Sequence, residues 1–459
     1  MVHVSIVGCR RPIVNARRLL RSSVVESAPA AQPRSAPADD PACPPVGAPV
    51  PTPTLGGPIV QRLAAALGYR DFRVLWFGAC TSSIGTWMQK VAQSWLVLEL
   101  TDSASFLALD AFLGELPILL FTLIGGVVAD RHDRRRLLLA SQVVQMASAF
   151  ALATLVVGGW VQIWHVLALS FLSGTAQAFG GPAYQSLVPS LVHKDHLPNA
   201  VALNSIQFNI ARVIGPLLAG VTLHTLGSAS CFTINGLSFL VVIAALLSLR
   251  TPQVAPSIEH RMLDQLRTGL VYVRDEPAIR TLTVLALAST FLGVPLLTFL
   301  PVFARNVFHE GVGQYSQMMA WSGAGAVAGA LVVAWMGRFR HMGWTALAVQ
   351  ALFGALTVAF ALSRQLWVSY LLLAVSGAAL MVVFSLFTSL VQLIAPNHMR
   401  GRVMSIYMVA FRGGMPLGSL VTGLAIDRIG APAAIAVDGV LLTAVALWFL
   451  ARRDVPGDV

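Results

Sequence analysis

Long apolar runs separated by short polar loops fill the chain from about residue 74 to residue 450. Each run is about 18–25 residues long, as an α-helix needs to cross a bilayer, without the ten-residue alternation of a β-barrel strand. Because only helices and closed barrels satisfy their own backbone hydrogen bonds in lipid, the pattern predicts an all-α membrane protein. About twelve transmembrane helices are predicted, over residues 74–99, 105–129, 137–157, 163–186, 200–223, 229–249, 280–304, 314–337, 344–362, 366–393, 403–426 and 431–450.

Composition supports a membrane protein, since 56% of residues are hydrophobic and only 11% are charged, against about a quarter in soluble proteins. The net charge of +11 would suit nucleic acid, but its distribution argues against that partner. Of the 25 Lys and Arg residues from Arg62 onward, 19 fall on one set of loops and helix ends, and only Arg305, Arg364 and Arg428 fall on the opposite loops. The positive-inside rule therefore predicts a multi-pass protein of the cell membrane with both termini in the cytoplasm.

The first residues are basic and then rich in Pro and Ala, and no apolar core of a signal peptide follows them, so a disordered cytoplasmic tail is predicted. A long polar loop divides the apolar remainder, and its segment 257–274 is expected to form a short surface helix. The predicted division is a tail over 1–60, an N-terminal six-helix bundle over 61–249, a cytoplasmic linker over 250–279, a C-terminal six-helix bundle over 280–450, and a short tail over 451–459.

The two predicted bundles carry a related motif in equivalent helices. Arg212 and Pro216 in the fifth predicted helix recur as Arg412 and Pro416 in the eleventh, 200 residues later. Two similar halves with a substrate site between them near the midplane are typical of secondary transporters. The repeat therefore predicts two pseudo-symmetric six-helix bundles.

The loop between the second and third predicted helices runs from Gly126 through Asp130, Arg131 and Asp133 to Arg136. It resembles the signature G-x-x-x-D-R-x-G-R-R of the major facilitator superfamily, with Asp133 in place of the last glycine. That variant resembles a subgroup of enterobactin exporters and drug efflux proteins. The resemblance covers roughly residues 68–430 and is supported by the segments Tyr69–Trp76, Gly85–Gln89, Val91–Trp95, Pro182–Pro189 and Asn199–Ser205.

The resemblance implies the major facilitator fold and two groups of gating residues. Gly126, Asp130, Arg131 and Arg134 belong to the loop signature. Physically, Gly126 would let its helix approach a neighbour closely, and Asp130 would pair with an arginine or a helix N-terminus. The arginines also have a plainer interpretation, as topology anchors.

The second group, in the fifth helix, is similar to the glycine-proline motif of antiporter-type exporters; alternatively, it only kinks and packs that helix. Its residues are Gly215, Pro216 and Gly220.

Ionisable residues inside spanning helices usually face a cavity or a partner, because burying them in lipid is costly. Counting back from a hairpin near residues 101–103 places Lys90 and Glu115 at similar depth, with Asp110 as the rival partner. The pair would either couple a proton to substrate movement or form a static bridge. Candidates for substrate contact or proton coupling are Lys90, Asp110, Glu115, Arg212, Arg412 and Asp438.

No P-loop motif and no His/Cys metal cluster occurs, and the run from Gly323 to Gly329 is interpreted as helix packing. The sequence thus predicts a non-enzyme without cofactor or metal, acting as a monomer on a small-molecule substrate. The leading hypothesis is a secondary active transporter that exports a hydrophobic or amphipathic drug or siderophore by alternating access, with protons as the coupling ion. The alternatives are a facilitator or importer of a small solute, and a membrane sensor or scaffold that transports nothing.

Overall fold

The computed structural model describes residues 64–249 and 262–452, and helices make up nearly all of them. Within these ranges the twelve predicted spans are confirmed to within a few residues. The helices are α1 (Arg70–Thr101), α2 (Ala104–Arg131), α3 (Arg134–Val157), α4 (Ile163–Leu187), α5 (Leu197–Leu226), α6 (Ser228–Ser248), α7 (Pro277–Val307), α8 (Val312–Met336), α9 (Met342–Leu362), α10 (Leu366–Ile394), α11 (Arg400–Ile429) and α12 (Ala431–Arg452).

Ten of these helices are long and apolar enough to cross a membrane, whereas α1 and α4 are equally long but more polar. Helix α7 is the irregular one. Its regular part ends at Gly293, two short helical turns follow at Pro295–Thr298 and Leu300–Val302, and it closes with a π-helical turn at Phe303–Val307. Pro295 and Pro301 lack the amide hydrogen that a continuous helix requires at their positions, which accounts for the breaks.

Helix packing follows the same scheme in each half of the chain. In the first half α2 packs on α4, α1 packs on α5 and α6, and α3 packs on α4 and α6. The second half repeats these pairs with every helix number raised by six. The halves meet along two seams, α5 against α8 and α2 against α11, and these seams are also exchanged by the six-helix shift. The fold is therefore two pseudo-symmetric six-helix bundles, as predicted.

Small residues allow the tightest of these pairs to form. A Cβ atom on Gly325 would overlap the carbonyl oxygen of Ala374, which brings α8 and α10 into backbone contact. Gly125 makes a similar approach to the Ala178 carbonyl oxygen between α2 and α4. The prediction for Gly126 was wrong in this respect, since a Cβ atom there would have no neighbour within 4 Å among the described residues. The glycine run of α8 is confirmed as helix packing.

A linker helix (Met262–Asp275) precedes α7 and packs on α11, in agreement with the surface helix expected over 257–274. It is amphipathic: Val273 is buried, whereas Leu270 is exposed. Residues 1–63, 250–261 and 453–459, which include the predicted tails and the start of the linker, lie outside the described residues. We call the end of the bundle where α1 begins the basic end, and the end with the α1–α2 loop the far end.

Candidate substrate and coupling site

Four side chains from α1, α2 and α5 meet near the middle of the first half, and we call them the central charge cluster: Trp87, Lys90, Glu115 and Arg212. Lys90 Nζ lies 3.9 Å from Glu115 Oε1, so the predicted ion pair is confirmed. Lys90 Nζ also lies 5.3 Å from the centre of the Trp87 ring, and Arg212 Cζ lies 5.9 Å from it. Two cations within 6 Å of the centre of one aromatic ring, with one carboxylate beside them, place both signs of charge against an apolar surface.

The ion pair remains open to exchange. The Lys90 side chain is 57% exposed and that of Glu115 is 31% exposed. An exposed pair at nearly 4 Å contributes little to stability, about 0–1 kcal/mol. A ligand or a proton can therefore displace one partner at low cost.

Glycine packing in α5 brings Arg212 to this cluster. A Cβ atom on Gly215 would lie 2.5 Å from Trp87 Cβ, so α5 lies directly against α1 at this height. Arg212 is one turn earlier on α5 and reaches the Trp87 ring, while Phe208 meets the same ring edge-on at 5.9 Å. Pro216 follows, buried in the helix interior.

The same stretch of α5 also touches the second half. A Cβ atom on Gly220 would lie 2.8 Å from Ser316 Cβ, and one on Gly323 would lie 3.0 Å from the Arg212 carbonyl oxygen. The close packing expected of Gly215 and Gly220 is thus present. Because α5 contacts α8 along this seam, the central charge cluster lies beside the junction of the two halves.

A buried polar network lies next to the cluster and joins four helices of the first half. Asn235 Nδ2 of α6 donates to Gln89 Oε1 of α1 at 2.6 Å. Gln93, one turn further along α1, donates to Asp110 Oδ2 of α2 at 2.9 Å and to Ser170 Oγ of α4 at 2.7 Å. Ser170 in turn donates to Asp110. Asp110 is therefore held by neutral donors, and Glu115 rather than Asp110 pairs with Lys90.

The other two membrane charges lie apart from the cluster. Asp438 of α12 is half-buried and accepts a hydrogen bond from Thr422 Oγ1 of α11 at 2.8 Å, within the second half. Arg412 of α11 is exposed, and its guanidinium has no ion pair or hydrogen bond within the described ranges 64–249 and 262–452. The backbone beside Arg412 lies on the α2–α11 seam, since a Cβ atom on Gly413 would be 3.5 Å from Leu119.

At the basic end, the signature loop caps and anchors α3. Asp133 accepts hydrogen bonds from the backbone amides of Arg135 and Arg136 at 2.9 and 3.2 Å, which makes it the N-cap of α3. This explains why an aspartate suits the position where the superfamily signature has glycine. Arg134 Nη1 donates to the Ser186 carbonyl oxygen at 3.2 Å. The side chains of Asp130 and Arg131 lie outside the described residues, so their gating role stays a prediction.

Sequence reasoning missed the residues that join the halves at the far end. Trp95 of α1 stacks on Tyr315 of α8, with ring centres 6.3 Å apart. Asp427 of α11 contacts the start of α2, and Arg305 of α7 contacts the end of α1. One signal was available: Gly423, Asp427 and Arg428 repeat the G-x-x-x-D-R spacing of Gly126, Asp130 and Arg131.

The comparison with protein families decides the relationship. A family model described as transmembrane secretion effector, of the major facilitator superfamily, matches residues 63–457. The chain belongs to this family. The predicted resemblance to the superfamily and to its efflux subgroup is thereby confirmed, and a transmembrane secretion effector is a transporter with a multi-pass membrane topology.

This chain matches three curated relatives over almost the whole length of each relative. The multidrug efflux pump Tap of Mycolicibacterium fortuitum is 28% identical over 82% of this chain and 95% of the relative. Macrolide efflux protein A of Streptococcus pyogenes is 22% identical over 82% and 94%, respectively. The staphyloferrin A transporter of Staphylococcus aureus is 24% identical over 80% and 92%.

Solved structures of low sequence identity share the fold. A bacterial homolog of the human lysosomal transporter Spinster, inward-facing and unoccupied, has a TM-score of 0.69 at 15% identity and covers 87% of this chain and 98% of its own. The nucleoside transporter NupG has a TM-score of 0.66 at 12% identity, over 83% and 98%. These similarities support the two-bundle major facilitator fold of this transmembrane secretion effector.

Proposed function

We propose that this protein is a secondary active exporter of a hydrophobic or amphipathic small molecule of the drug or siderophore class, driven by protons. The family and the efflux relatives support transport out of the cell. The observation that carries the proposal is the central charge cluster, an exchangeable ion pair on an aromatic ring beside the junction of the halves. In this proposal the protein acts as a monomer, divided at the boundaries predicted above.

Orientation follows from the arginines. The basic end faces the cytoplasm by the positive-inside rule, so the contacts at the far end close the outer side. A substrate from the cytoplasm or inner leaflet would then reach Trp87 and Phe208 through the basic end. The two aromatic rings would hold its apolar part, and its polar group would meet Lys90, Arg212 or Glu115.

Coupling requires that proton and substrate compete for the same groups. In this proposal the shared group is the Glu115 carboxylate, which lies 3.9 Å from Lys90 Nζ and remains partly exposed. A cationic group of the substrate would displace the proton from Glu115. Competition at one shared site moves proton and substrate in opposite directions.

Two other functions are distinguished by direct flux measurement. A facilitator would equilibrate substrate without a pH gradient, and an importer would carry substrate inward together with protons. Vesicles loaded with substrate under an imposed pH gradient separate these cases from antiport. A membrane sensor or scaffold would show no flux in either direction.

The test is the accumulation of a fluorescent hydrophobic dye in cells that express wild type or Glu115→Gln, with and without a protonophore. We expect wild type to lower accumulation several-fold, the protonophore to abolish the difference, and Glu115→Gln to accumulate dye like empty cells. Glu99→Gln is the matched control, because the Glu99 carboxylate of α1 bonds only to Trp95 of its own helix among the described residues. Full, protonophore-sensitive efflux by Glu115→Gln would exclude Glu115 from coupling.

A further inference from the structure

At the far end, residues of the second half contact both helix ends of the α1–α2 hairpin, namely the end of α1 and the start of α2. At the start of α2, Asp427 of α11 accepts hydrogen bonds from the backbone amides of Ala104 and Ser105 at 3.0 and 3.1 Å, and from Ser103 Oγ at 3.0 Å. Ser103 is the N-cap residue of α2, yet its own side chain makes no capping hydrogen bond. Asp427 therefore caps this helix from the other half of the molecule.

At the end of α1, an arginine of α7 makes the complementary contact. Arg305 Nη1 donates to the Leu98 carbonyl oxygen at 2.8 Å, and Arg305 Nη2 lies 3.4 Å from Asp102 Oδ1 in the hairpin loop. Arg305 belongs to the π-helical turn that closes α7. Such turns are found often at functional positions of helices.

The charges match the polarity of the helix ends they touch. Helix N-termini carry partial positive charge and C-termini partial negative charge. Asp427 places a carboxylate on the N-terminus of α2, and Arg305 places a guanidinium on the C-terminus of α1. Both contacts cross from the second half to the first, so they exist only while the far ends of the halves are together.

A glycine lets α11 come close enough for this contact. A Cβ atom on Gly423, one turn before Asp427, would lie 2.5 Å from Ala108 Cβ and 3.0 Å from the Ala104 carbonyl oxygen. Gly423, Asp427 and Arg428 repeat the spacing of the signature at the opposite end of α2. Helices α2 and α11 run in opposite directions, so the two copies lie at opposite ends of the same seam.

We propose that Arg305 and Asp427 form an outer clamp on the α1–α2 hairpin, which holds the far end closed and must release for the exporter to open outward. The proposal rests on the transport cycle proposed above. It assigns to Asp427, at the far end, the kind of helix-end contact that sequence reasoning expected of Asp130 at the basic end. The clamp is a conformational latch and binds no substrate.

The experiment measures the distance between the far ends of the two halves in the purified full-length protein. Spin labels are attached at Trp160→Cys in the α3–α4 loop and Gln365→Cys in the α9–α10 loop, both exposed, in a background without the four native cysteines. Pulsed electron–electron double resonance then gives the populations of short and long distances between the two spin labels. No substrate or transport assay is involved.

We expect Asp427→Ala to raise the ratio of long to short distances about fivefold, as loss of a helix cap would. Asp427→Asn should give a smaller increase, because asparagine is also an effective cap. Arg305→Gln should shift the ratio in the same direction as Asp427→Ala. Arg428→Gln is the control for charge, since it alters the neighbouring residue, which makes no hydrogen bond or ion pair between the halves within the described ranges.

An unchanged distance distribution in Asp427→Ala and Arg305→Gln would overturn the clamp. If Asp427→Ala does not fold, Arg305→Gln decides in its place, by the same shift or its absence. The clamp and the exporter proposal fail in different measurements. Distances that shift in a protein without dye efflux support the clamp and refute the exporter. Dye efflux with unshifted distances supports the exporter and refutes the clamp.

Discussion

The two halves of the molecule share their backbone packing and differ in their polar chemistry. Gly125 against Ala178 and Gly325 against Ala374 are close backbone approaches in the corresponding helix pairs α2–α4 and α8–α10. The first half adds the Asn235–Gln89–Gln93–Asp110–Ser170 network and the central charge cluster. In the second half, Gln350 is fully buried and its side-chain amide has no hydrogen-bond partner within the described ranges.

The difference separates two requirements on the sequence. Packing of spanning helices against each other requires small residues at the contact, and both halves supply them in corresponding helix pairs. Polar groups in a membrane are expensive, so charged groups there are candidates for binding or coupling. In the proposed mechanism the first half carries the coupling chemistry, and the second half supplies Arg305 and Asp427 to the far-end contacts.

The largest expected effect concerns the shared packing. Gly325→Ala and Gly125→Ala should each destabilise the protein by more than about 2 kcal/mol, because the added methyl group overlaps backbone atoms of the neighbouring helix. Gly126→Ala is the matched control. Its methyl group would enter open space, and alanine favours a helix over glycine by about 1 kcal/mol. Thermal unfolding in detergent, followed by size-exclusion chromatography, measures all three. Equal unfolding temperatures for Gly125→Ala and Gly126→Ala would contradict the packing argument.

The second prediction contrasts the buried carboxylates of the two halves. Asp110→Asn should reduce the initial rate of dye efflux at least tenfold, because Asp110 is the acceptor at the centre of the four-helix network and lies one to two turns from Glu115. Asp438→Asn should change the rate by less than about twofold, since its bond to Thr422 stays within the second half. Asparagine can still accept from Gln93, so the folded protein should be retained.

Rates are compared at equal surface expression, and a thermal unfolding measurement confirms that both variants are folded. Similar losses in Asp110→Asn and Asp438→Asn would show that the polar asymmetry between the halves does not determine transport. A loss in Asp438→Asn alone would move the coupling site to the second half.

Local and periodic features could be predicted from the sequence. Twelve spans follow from apolar length, and the Lys90–Glu115 pair follows from counting helical rise on each side of the hairpin. Asp110 illustrates the limit of that count. The estimated depth of Asp110 was compatible with a pair to Lys90. Its side chain instead accepts hydrogen bonds from Gln93 and Ser170, and a depth estimate does not contain the lateral positions of these partners.

Contacts between the halves were beyond such reasoning. The bond from Ser103 to Asp427 joins residues 324 positions apart, and nothing in either local sequence identifies the partner. The expected role of Gly126 failed for a related reason: helix rotation places Gly125, and not its neighbour, against α4. The signature contains Gly126, whereas the contact is made by Gly125, which precedes the signature.

The smallest expected effect tests the arginines that repeat between the halves. Arg212→Gln should raise the substrate concentration for half-maximal efflux about three- to fivefold, because it removes a cation from the Trp87 ring, an interaction worth about 0.5–1 kcal/mol or more. Arg412→Gln should have an effect of at most about twofold, since its guanidinium contacts no partner within the described part of the chain. Efflux rates against dye concentration, for an anionic and a cationic dye, measure both variants. A larger effect on the anionic dye identifies charge recognition by Arg212. Equal shifts in the two variants would mean that the repeated arginines form one symmetric site, and the chemical difference between the halves would then lie only in their carboxylates.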